Sequence, residues 1–257
     1  MSGSAPLSAR GLTVSFGRTE ALRGVDLDVE AGEVLAVMGP SGSGKSTLLH
    51  ALAGVIVPDS GTVSLGDTVI SDLPEPARAQ LRLREFGFVF QFGQLLPDLT
   101  ALDNVTLPLL LTGHSRRRAR RQAASWLERL GVADTRDQVP SEVSGGQAQR
   151  IAIARALVTG PRVVFADEPT GSLDSLAAES VMTTLTDLAR DTGATIVVVT
   201  HDPRTAAHAD REVVVRDGRI GGRTGGGARG EAGGEAGCPA GDDADRAPRR
   251  PVVRTRA

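Results

Sequence analysis

The sequence predicts an α/β fold built on a parallel sheet whose strand ends carry the ligand site. Three observations predict it. Residues 34–38 (VLAVM), 163–166 (VVFA) and 195–199 (TIVVV) are continuous apolar runs, as strands buried on both faces require. Helical patterns follow many of the predicted strands, at 45–53, 175–190 and 204–208, which is the alternation of an α/β layer structure. The first of these helices begins inside "GPSGSGKST", residues 39–47, a G-x-x-x-x-G-K-[ST] loop set between a strand and a helix.

Taken in order, residues 12–16 and 25–29 read as short strands that, with 34–38, are separated by turns at Gly17 and Gly32. Residues 61–70 read as a hairpin around Gly66-Asp67. Residues 86–90 (FGFVF) read as another short strand. Between 99 and 157 the pattern turns mostly helical. There, 115–130 is amphipathic, with Ala119, Ala123, Trp126, Leu127 and Leu130 sharing one face. Residues 147–157 continue as helix. From Gly221 onward the chain holds Gly, Ala, Arg and acidic residues with almost no large apolar side chain. Such a segment cannot offset its ordering entropy, and 221–257 is expected to be a disordered tail. The folded domain is expected at 7–220, with a helical insert at about 92–158.

The formal charge of −2 argues against a general nucleic-acid binder, which carries a clear basic excess. One cysteine, Cys238, allows no intrachain disulfide and fits a reducing, cytosolic setting. The first residues lack the charged and apolar regions of a signal peptide. The apolar run 107–111 contains Pro108 and is far shorter than a membrane span. A membrane role therefore calls for a partner that spans.

Lys45 is the single lysine among 29 basic residues. The loop around it has a physical purpose. Gly39, Gly42 and Gly44 let the backbone curl so that N–H groups converge on an anion, with Pro40, Ser41, Ser43 and Thr47 completing the turn. The helix that starts near Lys45 adds unpaired N–H groups and a positive dipole end. Lys45 can reach β- and γ-phosphate oxygens as a compact point charge, and Ser46 can ligate Mg²⁺. A guanidinium is longer and wider, so arginine is expected to clash there.

"VVFADEPT" ends an apolar strand in Asp167 and Glu168, where open α/β sheets bind ligands. Asp167 is placed to hold Mg²⁺, directly or through water. Glu168 is placed to accept a proton from an attacking water. His201 in "VVVTHD" and Gln91 in "GFVFQ" end two further apolar strands. His201 could donate to a γ-phosphate, and Gln91 could touch Mg²⁺ or the attacking water. "EVSGGQAQR" puts Ser144, Gly145, Gly146 and Gln147 at another helix start, a second anion-binding nest. One triphosphate does not need two such nests from one chain.

The series "GPSGSGKST", "VFQ", "VSGGQ", "VVFADEPTGSLD" and "VTHD", spread over roughly residues 7–220, resembles the ATP-binding subunit of an ABC transporter. The resemblance implies a P-loop NTPase with a RecA-like core, a small antiparallel β subdomain and a helical subdomain. It implies ATP and Mg²⁺ as ligands and two composite sites in a dimer, with Ser144–Gln147 of one subunit closing over ATP held by the phosphate loop of the other. It makes Glu168 the catalytic base and His201 the γ-phosphate switch. It makes Gln91 the link to the membrane subunit, Asp174 a residue of the dimer seam, and Phe16 the aromatic that stacks on adenine. The implied partners are a transmembrane permease and a second ATPase copy or paired subunit, without nucleic acid. The implied location is cytoplasmic, peripheral on the inner face of the cell membrane. Val143 stands where leucine is usual, Phe16 where tyrosine is common, and Ser172 where asparagine or alanine is more usual. "QFGQLLPDLT" departs from the family's polar pattern after Gln91.

Within the family, the segments around the phosphate loop and "LLPDLTALDNVTLPLLLTG" look most like the lipoprotein-release and macrolide-export group. Those subunits pair with permeases whose extracytoplasmic domains are moved mechanically. The alternatives are an importer ATPase and a soluble ABC ATPase of translation or DNA repair. The latter usually carries two cassettes or a long coiled-coil insert, and this chain has neither. "SRRRARRQ" at 115–122 reads first as a solvated helix face, with anionic lipid or nucleic acid as the other reading. His50, His114 and His208 have no metal-ligand spacing.

Overall fold

The computed structural model describes residues 6–91 and 93–221. Of the tail expected at 221–257, residues 222–257 lie outside the described residues. Gly221 belongs to a strand instead.

The first strands are β1 (Leu7–Phe16), β2 (Thr19–Val29) and β3 (Val34–Met38), followed by α1 (Lys45–Leu52). Next come β4 (Ser60–Leu65), β5 (Thr68–Val69), α2 (Glu75–Glu85) and β6 (Phe86–Phe90). The helical stretch holds α3 (Ala101–Leu111), α4 (Arg116–Arg129) and α5 (Gly145–Leu157). The chain then runs through β7 (Val163–Asp167), α6 (Ser175–Thr192), β8 (Thr195–Val199), α7 (Pro203–Ala206), β9 (Arg211–Arg216) and β10 (Arg219–Gly221).

Two sheets result. An antiparallel sheet has the order β2-β1-β4-β5, and a larger one has the order β10-β9-β3-β8-β7-β6. In the larger sheet every pair from β9 to β6 is parallel, and only β10 is antiparallel. Strand alternation divides the side chains between two cores. Phe165 and Val163 on β7, and Val197 and Val199 on β8, join the core under the antiparallel sheet and α1. Val164, Ala166, Ile196 and Val198 join the core formed with α3, α4, α5 and α6. That two-sided burial is why these strands are continuously apolar.

On α4 the expected face is buried: Ala119, Ala123, Trp126, Leu127 and, just beyond the helix, Leu130. Three regions differ from expectation. α2 buries no residue, so it has no apolar stripe to reveal it; Arg78 and Arg82 instead pair with Glu75. The hairpin β9–β10 gives no clear strand pattern, because its strands are short and charged at their ends. β1 and β2 also begin earlier than expected, because register shifts near Gly11 break the alternation that marks a strand.

Gly87 on β6 packs directly on α5. A Cβ at Gly87 would collide with the backbone carbonyl of Ala156. Neither strand nor helix can yield without losing its own packing, so Gly87→Ala is expected to destabilise the fold by about 1–3 kcal/mol. Denaturant unfolding measures it, and an unchanged midpoint would contradict the close packing of β6 on α5.

Candidate active site

The polar residues singled out in the sequence stand at the carboxyl ends of four neighbouring parallel strands, where open α/β sheets take ligands. The glycine loop follows β3, His201 follows β8, Asp167 ends β7 with Glu168 next to it, and Gln91 follows β6.

The loop folds as its glycines dictate. Gly39 has φ 146° and Gly44 φ 104°. A Cβ on Gly44 would come 2.5 Å from the Ala21 carbonyl oxygen, and one on Gly39 would collide with the Val215 carbonyl and crowd Ser43 Oγ. Gly44 caps α1 without any side-chain hydrogen bond, and the first turn of α1 holds no acidic residue. Its leading N–H groups therefore face outward unpartnered, as an anion requires. Ser43 Oγ is buried with no hydrogen-bond partner among the described residues. Lys45 is 8% exposed, and its Nζ donates to the Pro40 carbonyl at 2.8 Å. Loop, helix end, orphaned hydroxyl and lysine together form a cradle that suits a polyphosphate.

The cradle opens into a cavity of about 430 Å³ bounded by Thr19, Glu20, Ala21 and Arg23 at the start of β2, by Lys45, Ser46 and Thr47, and by Asp217 and Gly218. Asp217 and Gly218 are site residues that the sequence motifs do not mark. Both have positive φ, and together they turn β9 into β10. The Gly218 N–H donates to the Ser43 carbonyl at 3.0 Å, and the Gly218 carbonyl accepts from Arg23 N–H at 2.8 Å. This turn thus ties the phosphate loop to β2. The Asp-Gly pair in "VVVRDGRI" was the available signal.

Ser46 Oγ donates to Asp167 Oδ1 at 3.2 Å, joining the loop to the end of β7. A hydroxyl and a carboxylate oxygen are hard donors suited to Mg²⁺. Among the described residues no group of three or more His, Cys, Asp or Glu is arranged to hold a metal. A cation at Ser46 and Asp167 therefore needs phosphate and water oxygens as well.

Glu168 has φ 47°, a left-handed conformation that is strained for a side-chain-bearing residue. Its N–H donates to the Val199 carbonyl at 2.9 Å, which fixes the turn. Its Oε1 accepts from the His201 ring N–H, with Nδ1 at 2.8 Å; an ionised carboxylate can only accept. The carboxylate is thus aimed across the strand ends towards His201. Beside it, the hydrogen bond from the Arg204 guanidinium holds the Asp202 carboxyl below its ordinary range.

Gln91 is held against the turn that follows Glu168. Its carbonyl accepts from Ser172 Oγ at 2.9 Å, and its side chain lies against Gly171, where an added Cβ would come 2.7 Å from Gln91 Nε2. Phe16 is 55% exposed and pairs with Thr19, which lines the cavity; Phe16 itself does not line it.

Ser144 caps α5 through a capping box, accepting from Gln147 N–H at 3.3 Å and donating its own N–H to Gln147 Oε1 at 2.8 Å. None of Ser144, Gly145, Gly146 or Gln147 lines the nucleotide-sized cavity. Gly145 and Gly146 instead pack beside Leu173 and Ala177. Asp174 caps α6, accepting from the N–H groups of Leu176 and Ala177 at 3.0 and 2.9 Å.

Against known proteins, the ABC transporter family model matches residues 22–171, more than half of the chain. The chain belongs to the ABC transporter family. This ABC chain is 49% identical over 203 residues to the lipoprotein-releasing system ATP-binding protein LolD of Bordetella pertussis, covering 79% of this chain and 88% of that one. It is 43% identical over 214 residues to the protein of the same name in Bacteroides thetaiotaomicron, covering 83% and 98%. Among solved structures, it resembles a dimeric post-hydrolysis state of the ATP-binding cassette MJ0796 bound to ADP and Pi. The TM-score is 0.77 at 37% identity, covering 83% of this chain and 96% of that one. It also resembles cbiO1 of Clostridium perfringens, part of the ABC transporter complex cbiONQ, with TM-score 0.77 at 30% identity, covering 84% and 87%. The ABC chain is accordingly an ATP-binding ATPase subunit with the P-loop fold. Among its described residues no helix is long and apolar enough to cross a membrane.

Proposed function

We propose that this ABC ATPase closes as a dimer around two MgATP and that closure drives a permease of the lipoprotein-releasing type. One observation carries the dimer. The phosphate cradle leaves its N–H groups free, and the start of α5 is a second glycine-bearing helix end whose capping box holds Ser144 and Gln147 in place, yet residues 144–147 lie outside the cavity that contains Lys45. A second copy supplies the missing half, and the dimeric form of MJ0796 supports that arrangement. Asp174 then stands at the seam, since the residues it caps pack against Gly146.

In this proposal the N–H groups of α1 and Lys45 Nζ bind the β- and γ-phosphates, with Nζ leaving the Pro40 carbonyl. Ser43 Oγ gains the partner it lacks. Gly39 through Thr47 wrap the phosphates, and Phe16 covers the adenine at the mouth of the cavity by its ring face. Ser46 and Asp167 hold Mg²⁺, which when bound neutralises charge on the phosphate oxygens. Glu168 accepts a proton from the attacking water, and His201 orients Glu168 and then donates towards the γ-phosphate. Gln91 senses the nucleotide and reports it to the permease through the segment that follows it.

The chemistry of the surface offers the permease a seat. An apolar groove of about 480 Å³ runs between β6 and the helical layer, lined by Phe86, Phe88, Phe90, Pro108 and Val55, with Arg82 and Arg155 at its margin. It adjoins Gln91. Burial lowers the pKa of Arg155, whose guanidinium also donates to the Gly93 and Gln94 carbonyls. The chain would then be peripheral on the inner membrane face. The curated relatives cited above are named for lipoprotein release, which favours that cargo over import. Purification of the tagged chain from its own membranes tests the proposal. A permease with a large extracytoplasmic domain is expected to come with it; recovery of ribosomes, DNA or an importer permease instead would overturn it.

A further inference from the structure

The corner where α3 passes into α4 combines two features that the ATPase cycle leaves unused. Leu110 is 39% and Leu111 63% exposed at the end of α3. A few residues on, Arg116, Arg117, Arg118 and Arg121 are exposed, and among the described residues none of them pairs with a carboxylate. Arg120, on the inner side, differs: it pairs with Asp103 at 2.5 Å.

The arginines are not there to stabilise the helix, because positive charge at a helix N-terminus opposes the dipole. Positions 118, 121, 122, 125 and 129 recur at helical spacing and form one outer stripe. They border a shallow concavity of about 340 Å³ floored by Trp126. Arg129 stacks on that indole with its guanidinium 4.6 Å from the ring centroid and pairs with Asp191 at 3.8 Å, so the free positive charge among the described residues lies at Arg116, Arg117, Arg118 and Arg121. The result is a run of exposed arginines at the start of α4, a few residues after two exposed leucines at the end of α3.

We propose that this corner binds an anionic lipid surface directly. The arginine stripe takes headgroup phosphates and Leu110 and Leu111 enter the acyl boundary, which is how basic amphipathic segments hold to membranes. Nucleic acid is the poorer fit. Trp126 is buried and already covered by Arg129, so no free ring is offered to a base, and exposed leucines have no role on a phosphate backbone. The physiological setting rests on the peripheral location proposed above, but the contact itself requires no permease.

Co-sedimentation of the purified full chain with vesicles tests it, using phosphatidylcholine alone or with phosphatidylglycerol added, and no permease present. The chain is expected to pellet with the anionic vesicles and to be released by salt. The triple variant Arg117→Glu, Arg118→Glu, Arg121→Glu is expected to lower the partition about tenfold or more. Leu111→Ser is expected to lower it severalfold at the same salt. ATP turnover of both variants should match that of the wild type, since none of these residues lines the nucleotide cavity, and this confirms folding. Equal partition to neutral and anionic vesicles, full binding by the triple variant, or displacement from vesicles by duplex DNA would each overturn the proposal. Because no permease is present, failure here leaves the membrane pull-down result standing on its own.

Discussion

Replacing Glu168 by glutamine is expected to lower ATP turnover by about 10²–10⁴-fold while ATP binding is retained. The substituted amide keeps the shape of the side chain and can still accept from the His201 ring N–H at the present 2.8 Å position. What it loses is the ability to take a proton from water. Nothing else that positions the residue changes: its left-handed backbone is fixed by the N–H bond to the Val199 carbonyl, and Lys45 and Ser46 are untouched. Single-turnover hydrolysis measures the effect, and nucleotide titration shows whether binding survives. A variant that hydrolyses at the wild-type rate would move the proton acceptor elsewhere. His201 would be the first candidate, as it is 70% exposed at its side chain and can turn towards the cavity.

The second large effect is expected at Lys45. Lys45→Ala and Lys45→Arg should both weaken ATP binding, by about 100-fold or more for alanine, since charge-assisted bonds to two phosphate groups are lost. The arginine variant separates charge from shape. Lys45 is buried in a loop where Gly39 and Gly44 leave no room even for a Cβ. A planar guanidinium needs more space than an ammonium and a different set of acceptors, so arginine should rescue little. Fluorescent-nucleotide titration decides the matter. Wild-type affinity in Lys45→Arg would mean that charge alone matters and that the loop can yield.

The core of the fold was legible in the sequence for a physical reason. β3, β7 and β8 are buried on both faces, so their apolar runs are unbroken, and the phosphate loop announced α1. The amphipathic stripe of α4 was equally plain. Elements stabilised by other means were not. α2 is fastened by Leu81, partly buried against the core, and by Arg82, which donates to the Gly54 carbonyl, and it leaves no hydrophobic period. β9 and β10 are short and charged at their ends, and the sequence pattern marks neither as a strand.

The candidate site was legible to the same degree. Lys45, Ser46, Asp167, Glu168 and His201 fall together because strand ends in a parallel sheet converge. The bracing of Ser43 by Gly218 was hidden, since it joins residues 43 and 218 through backbone atoms that no side-chain pattern marks. Gln91 was expected to touch Mg²⁺ or the attacking water; its side chain lies against Gly171, and Ser172 ties its backbone to the same turn. That contact links the strand end after β6 to the segment leading to Asp174. The stretch "SRRRARRQ", read as a solvated face, gains a different meaning only beside Leu110 and Leu111, whose exposure is a property of the fold.

In the proposed dimer the phosphate loop of one copy and Ser144–Gln147 of another make one site. Light scattering of Glu168→Gln with saturating MgATP tests it most directly. A species of twice the chain mass is expected, reverting to single chains when nucleotide is removed, and the doubling should be lost when Ser144→Arg is added. A Glu168→Gln chain that binds MgATP and stays single would contradict it.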